Sequence, residues 1–476
     1  MTPRNFRKQS ERASHDAVLR AVLDHATRHF QAKRGAALEA FANRETHFAR
    51  ARAARLTALA RLPELLEELE ERATAVGTRV HWAADAAEAC AIITAIAQDC
   101  GARVVVKGKS MITEEMALNP ALEAAGLEVW ETDLGEFIVQ LAGEPPSHII
   151  APAIHKSRAE VADLFRAKLG QLGQEMGGES IPELTLLARR ALREKFLAAG
   201  LGVTGVNMAV AATGSLVLVE NEGNIRMSTT CPPVHVAVMS LEKVAATLED
   251  AADILRVLPR SATGQRMSSY VSVLTGPRRA NEVDGARETH LVILDNGRSQ
   301  ILADPILREA LLCFRCGACL NACPVYQTIG GHAYGSVYSG PIGTILSSLL
   351  LPPQDTRDLP FGCTLCGACK ETCPLGIDHP RLMLALRQRV CGDHPHPVGA
   401  AHSFLARHPL AYRLAVGAAR AVDPNLDLLP RLPGLPGLPG LANFVDTRQP
   451  PELKRPFSAQ LRDCRKKQEH KKQGGA

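Results

Sequence analysis

The chain has 476 residues, enough for roughly two to four units of ordinary domain size, and 46% apolar residues, enough to build real cores. Lys and Arg exceed Asp and Glu by only 55 − 50 = +5, and the basic residues at the two ends read as solvated tails, so nucleic acid is not an expected partner. The opening Met1-Thr-Pro-Arg-Asn-Phe-Arg-Lys has no apolar signal core and no later stretch reaches roughly 18 consecutive apolar residues, so the reading is a cytoplasmic protein with at most peripheral membrane contact.

In chain order, residues 1–75 form a helical N-terminal region. From 13 to 75 the sequence is rich in Ala, Leu, Arg and Glu, with Leu56, Leu59, Leu62, Leu65, Leu66 and Leu69 at helical spacing and Pro63 the sole proline. From 76 to 300 short β-branched runs alternate with helical stretches. The expected strands are 103–107, 127–130, 148–151, 215–220, 235–238 and 290–294, and the expected helices 85–98, 113–125, 156–169, 182–199 and 246–256. Runs of Val, Ile and Leu suit buried strands, and the alternation predicts an α/β domain with a mostly parallel sheet covered on both faces.

Open α/β sheets bind ligands in loops beyond the carboxyl ends of their strands. Lys107, Lys109 and Ser110 follow one expected strand, and Glu131, Thr132 and Asp133 follow another. A pocket for a small carboxylate or a cofactor is expected there, with Lys107 or Lys109 as its anion anchor. His148 and His155 flank the expected third strand as candidate bases, and Glu220, Asn221 and Glu222 end a further one. Ordinary loop hydrogen bonding and helix capping account equally for these residue types. No Gly-x-Gly-x-x-Gly opens a helix after a strand, and Gly108-Lys109-Ser110 is no phosphate loop, because Arg103 stands where its first glycine is required.

Residues 301–395 hold the most specific signal. Cys313, Cys316, Cys319 and Cys323-Pro324 repeat as Cys363, Cys366, Cys369 and Cys373-Pro374, eight of the 13 cysteines. This is the two-cluster ferredoxin run, in which three cysteines bind one [4Fe–4S] cluster and the fourth, before proline, reaches to the other. One cluster is then expected on Cys313, Cys316, Cys319 and Cys373, and the second on Cys363, Cys366, Cys369 and Cys323. Gly317-Ala318 and Gly367-Ala368 let each loop wrap closely, and the prolines turn the chain away after the crossing ligand. Structural zinc favours two separated cysteine pairs, and disulfides do not suit a reducing compartment. The long spacer between Cys323 and Cys363, helical around Leu346–Leu351, favours a mostly α-helical two-cluster domain. Cys90, Cys100, Cys231, Cys391 and Cys464 stand outside the runs and read as structural. In the last region, 396–476, one or two helices over Ser403–Val422 break at Pro409. A Leu-Pro-Gly repeat and a basic tail ending the chain are expected to be extended and disordered.

Several of these segments together carry a resemblance. Val106-Lys-Gly-Lys-Ser-Met111, Glu131-Thr-Asp-Leu-Gly-Glu136, Pro146-Ser-His148, Ala151-Pro-Ala-Ile-His-Lys156, Ala212-Thr-Gly-Ser215, Val219-Glu-Asn-Glu-Gly223, Pro259-Arg-Ser-Ala-Thr-Gly-Gln265 and Leu294-Asp-Asn-Gly-Arg-Ser299 lead in order into Cys313. Over residues 15 to 420 this resembles the lactate utilization protein B family. The resemblance implies a lactate-utilization domain related in fold to sugar-phosphate isomerase and CoA-transferase-like proteins, fused to a helical ferredoxin module. It implies electron transfer during oxidation of L-lactate to pyruvate, with a second cysteine-rich protein and another protein bearing the same α/β domain as partners, and an acceptor that the residues do not name. Clusters pass single electrons, so hydride removal is expected in a partner. The competing expectations are a self-contained oxidoreductase, one acting on another hydroxy acid such as glycolate, and a redox-sensing scaffold.

Overall fold

The computed structural model describes residues 3–170, 177–392 and 397–422. The helical lead-in comprises helices Phe6–Ser14, Ala17–Glu39, Arg44–Ala60 and Leu62–Ala75. Asp16 starts the second by accepting the Leu19 N–H at 2.9 Å, and Pro63 sits in the first turn of the fourth, where its missing N–H costs nothing. Leu62, Leu65, Leu66 and Leu69 line one face of that helix and are all buried, each contributing about 1.5–3 kcal/mol relative to exposure. Their partners include Ala209, Ala211, Leu216 and Leu218 of the domain that follows.

Among the described residues ten strands follow: β1 (Arg79–Ala83), β2 (Val104–Lys107), β3 (Glu128–Glu131), β4 (Leu201–Gly205), β5 (Met208–Val210), β6 (Ser215–Glu220), β7 (Val234–Ser240), β8 (Val244–Ala245), β9 (Tyr270–Leu274) and β10 (Glu288–Leu294). Six form a sheet in the order β1-β10-β7-β4-β2-β3, every pair parallel. Its two faces pack into separate apolar layers, one with Ile93, Leu118, Leu122 and Val203, the other with Ala237, Leu291 and Ile293. The domain is α/β, as expected. The remaining four strands make a second, mixed sheet in the order β8-β5-β6-β9, so the expected strand 215–220 exists but pairs antiparallel outside the main sheet.

Three local expectations are corrected. Residues 148–151 are not a strand: the His148 ring nitrogen Nδ1 accepts the backbone N–H groups of Ile150 and Ala151 at 3.1 and 3.2 Å, which diverts them from any ladder. The expected helix 113–125 is two, Met111–Glu115 and Leu118–Ala124, broken where Ala117 turns left-handed at φ 53°. β4 was not expected, because two of its five residues are glycines. Gly202 is needed there, since a Cβ would stand 1.9 Å from the Ser228 carbonyl oxygen.

In the cysteine-rich module both runs are built alike. A 3₁₀ turn (Leu307–Leu312 or Leu359–Gly362) leads into the first cysteine, and a five-residue helix (Ala318–Ala322 or Ala368–Thr372) leads into the fourth. Between them, Arg315 and Leu365 take φ of 65° and 56° and Gly317 and Gly367 of 74° and 85°, curling the backbone tightly around each set of thiols. The two five-residue helices pack against each other. The spacer carries helix Gly340–Leu350, with Leu346 buried in it, as expected.

Residues 1–390 make one compact unit; a second begins at Cys391. In the latter, helices Pro397–Arg407 and Pro409–Val422 meet at the expected break. The Leu-Pro-Gly repeat, the basic tail and Cys464 lie outside the described residues. No helix among the described residues is long and apolar enough to cross a membrane.

Candidate functional site

The eight motif cysteines sort by charge into two groups. Cys316 and Cys319 lie within electrostatic reach of Cys313 and Cys373. Cys369 lies within reach of Cys323, Cys363 and Cys366, and Cys323 of Cys363 and Cys366. Burial, reinforced by these neighbours, pushes the thiols up, Cys316 and Cys369 to about 12 and Cys323 and Cys373 to about 11. Thiols so placed do not ionise without a strong positive charge among them, which iron supplies. Each run also orients its first sulfur, with Arg315 N–H on Cys313 Sγ at 3.3 Å and Leu365 N–H on Cys363 Sγ at 3.4 Å. The spacing suits a cluster rather than one ion. Tetrahedral zinc at bonds of about 2.3 Å holds sulfurs under about 4 Å apart. Among the described residues, the one group of Cys, His and carboxylate side chains with three donor atoms all within 4.8 Å of one another contains no cysteine.

The first group abuts the carboxyl end of the parallel sheet through a buried charge network. Arg315 pairs with Glu242 at 3.1 Å, Glu242 with Arg298 at 3.2 Å, and Arg298 with Glu115 at 2.6 Å, while the Tyr338 hydroxyl donates to Glu115 at 2.7 Å. Two carboxylates balance two guanidinium groups. Burial works against the Glu242 charge, but the two arginines outweigh it and hold its carboxyl down at about 2.

Beside the network lies a cavity of about 290 Å³. Its lining includes Lys109 and Ser110 after β2, Gly205 at the end of β4 with Asn207 beyond it, Ser240 at the end of β7 with Lys243 beyond it, and Glu220 at the end of β6 with Asn221, Glu222 and Asp133. Phe314, Arg315, Cys316 and Tyr338 also line it, so the cavity borders the first cysteine run. Most of its polar groups are spoken for. Glu220 accepts the Ile225 and Arg226 N–H groups at 2.6 and 2.8 Å, and Glu222 accepts Leu134 N–H at 3.0 Å. Burial and the adjoining Asp133 raise Glu222 to about 7. Lys109 is paired with Glu136 at 2.6 Å. Lys243 differs. Its ammonium group has no hydrogen-bond or ion-pair partner among the described residues, and burial, aided by Arg315, pushes it down to about 7.

The structure therefore divides the expected pocket residues. Lys109, Ser110 and Asp133 line the cavity; Lys107, Glu131 and His148 do not. Lys107 is fully buried between Glu114 at 2.5 Å and Glu131 at 2.7 Å, its charge consumed by them. His148 is 1% exposed, stacked on Phe30 and bonded to Asn321 between Cys319 and Cys323. Burial lowers it to about 3, so it braces the cysteine loop as a neutral ring and takes up no proton. His155 faces Glu144 rather than the cavity. Lys243 escaped the sequence reading because one lysine after a strand carries no motif; its meaning lies in the absence of a directly bonded partner among the described residues.

A family model described as the LUD domain matches residues 66–294, and one described as a 4Fe-4S dicluster domain matches 309–377. The chain is 44% identical over 385 residues to an electron transport protein of Escherichia coli (strain K12), YkgF, covering 81% of this chain and 80% of that one. It is 43% identical to lactate utilization protein B of Shouchella clausii, covering 80% of each chain, and 44% identical to that of a Geobacillus species, covering 81% and 80%. A solved DUF162 family protein from Deinococcus radiodurans, 14% identical, aligns over 49% of this chain and 98% of its own with a TM-score of 0.28. The cysteine-rich module carries two [4Fe–4S] clusters.

Proposed function

We propose that this chain, which belongs to the lactate utilization protein B family, is the iron–sulfur subunit that relays single electrons in a multi-protein system oxidising L-lactate to pyruvate. The observation that carries the reading is the sorting of eight cysteines into two groups of four, each drawing its fourth member from the other run, with Cys316, Cys319 and Cys369 buried. Cys313, Cys316, Cys319 and Cys373 would hold one cluster; Cys363, Cys366, Cys369 and Cys323 would hold the other. When bound, the clusters supply one-electron steps. The protein's own part is to bury Cys316, Cys319 and Cys369 and to orient Cys313 and Cys363 by backbone N–H groups. A cytoplasmic setting and two partners, one cysteine-rich and one bearing a second LUD domain, complete the reading.

The cavity supports a role for the α/β domain. An ammonium group in a desolvated wall with no directly bonded partner gains from an anion beside it, so Lys243 would anchor a small carboxylate beside the first cluster, with Ser110 and Asn207 also lining the cavity. The same adjacency favours one second reading, in which this chain itself oxidises a 2-hydroxy acid, lactate or glycolate. Anaerobic purification with iron, sulfide and flavin analysis, followed by L-lactate, separates the two. About eight irons, no flavin and bleaching of the cluster absorbance only after partner proteins are added is the expected result. Bleaching by lactate alone moves the chemistry into this chain; substantially fewer irons overturns the relay.

A further inference from the structure

We propose that Glu144, His155 and His332 form a site for one divalent transition-metal ion of the zinc class, separate from the iron–sulfur clusters. One donor atom from each lies within 4.8 Å of the other two. Bonds of about 2.0–2.2 Å from a single ion close such a set after small side-chain movements. Two imidazoles and one carboxylate are borderline ligands that suit zinc, cobalt or iron(II) and do not suit calcium or magnesium, which take oxygen.

The surroundings match what metal ligands require of their neighbours. His332 Nε2 lies 2.8 Å from the Pro145 carbonyl oxygen. A carbonyl only accepts, so Nε2 carries the proton and Nδ1 carries the lone pair, the backbone-carbonyl support that a ligating histidine commonly has. Glu144 divides its oxygens, Oε1 taking the Lys156 ammonium at 2.7 Å and Oε2 facing His155 Nε2 at 2.7 Å. Lys156 thus holds the carboxylate in place and leaves Oε2 for an ion. His155 Nε2 bonds Glu144, while its Nδ1 is buried with no partner among the described residues. A plain ion-pair hub explains Lys156, Glu144 and His155. It does not explain why His332 is brought edge-on to His155 with ring centroids 4.4 Å apart. The Glu144 side chain is 35% exposed, which gives an ion a way in.

Placement gives the site a role. Glu144 and His155 belong to the segment after helix Leu134–Ala142, and His332 belongs to the 3₁₀ turn His332–Tyr334 between the two cysteine runs. The bound ion would staple the LUD domain to the cluster module. A fourth coordination position would fall to water.

The test uses the full-length protein with its iron in place, dialysed against micromolar zinc and then against metal-free buffer, with metals counted by mass spectrometry and the zinc environment read by X-ray absorption. The expected result is one zinc per chain beyond the cluster iron, with a nitrogen and oxygen shell and no sulfur. His155→Ala and His332→Ala should each lower zinc retention at least tenfold while iron stays at the wild-type level. Zinc below a tenth of an equivalent in the wild type, a sulfur shell, or undiminished zinc in both histidine variants overturns the site. The absorption measurement on the wild type decides even where a variant fails to fold.

Discussion

At the residue scale, two cysteines and one lysine distinguish the relay from its alternatives. Cys373 lies in the second run by sequence, yet its thiol is raised by Cys313 of the first. Cys373→Ser should therefore deplete the cluster held by Cys313, Cys316 and Cys319, giving the same low-temperature paramagnetic spectrum as Cys316→Ser. A spectrum matching that of Cys366→Ser would refute the crossing assignment. For Lys243 the expectation concerns binding. Loss of one charged hydrogen bond to a carboxylate is worth roughly 1.5–3 kcal/mol, so Lys243→Met should weaken pyruvate or L-lactate binding to the holoprotein by about 10- to 100-fold in calorimetry. Equal affinity in the variant would take the anchor away from Lys243. The cysteines were legible from spacing alone because cluster ligation fixes both residue type and interval. Lys243 was not, because a chain sequence does not show which charges lack a partner once folded.

At the scale of elements, what could be read from the sequence was what periodicity encodes. Val104–Lys107, Val234–Ser240 and Glu288–Leu294 are β-branched or apolar runs, and each is a strand of the parallel sheet. β4 lies between two of them in the sheet order and has no such signature, since close approach to the segment Ser228–Pro232 selects glycine at position 202 over a better strand former. The segment 148–151 fails in the opposite sense. Its composition favours a strand, and one histidine side chain captures the N–H groups that a strand would have used. Which strands belong to which sheet was not legible either, because β6 is as apolar as β7 and differs only in its partners. Gly202→Ala tests the packing account. Its Cβ meets backbone rather than a movable side chain, so relief requires shifting β4 or the chain at Ser228. The expected cost is about 1–3 kcal/mol, seen as a lower denaturation midpoint with full iron content. An unchanged midpoint would mean that the close approach is not maintained.

Across the whole molecule, charge is distributed unequally between the two clusters, and pH bears on the frame that holds them. His235 is buried in β7 against the Thr204 hydroxyl at 2.8 Å, and burial, with His290 beside it, lowers it to about 4. A base whose folded pKa is depressed leaves the unfolded chain holding more protons between pH 4 and 6.5. The part of the stability that His235 contributes is complete above about pH 6.5 and declines by up to about 3 kcal/mol as pH falls to 4, alongside the likewise lowered His148, His290 and His379. His235→Gln should make that slope shallower in chemical denaturation, and an identical slope would remove His235 as one of its sources. The frame so held presents cations to one cluster far more than to the other. Arg34 donates to the Thr372 carbonyl at 2.6 Å within reach of Cys316 and Cys373, and Arg55, Arg315 and Lys243 each lie within reach of Cys313. At the second set, burial and then the neighbouring cysteines raise Cys323 and Cys369, and Arg387 donates to the Cys363 carbonyl. Positive charge favours the reduced, more negative state of a cluster, so the cluster on the first run should have the higher reduction potential and collect the electron beside the cavity. In a potentiometric titration followed by paramagnetic resonance, two midpoints are expected, and Arg34→Gln should lower the upper one by roughly tens of millivolts while the lower one stays in place. A shift confined to the lower midpoint would reverse the assignment, and with it the direction in which electrons cross the module.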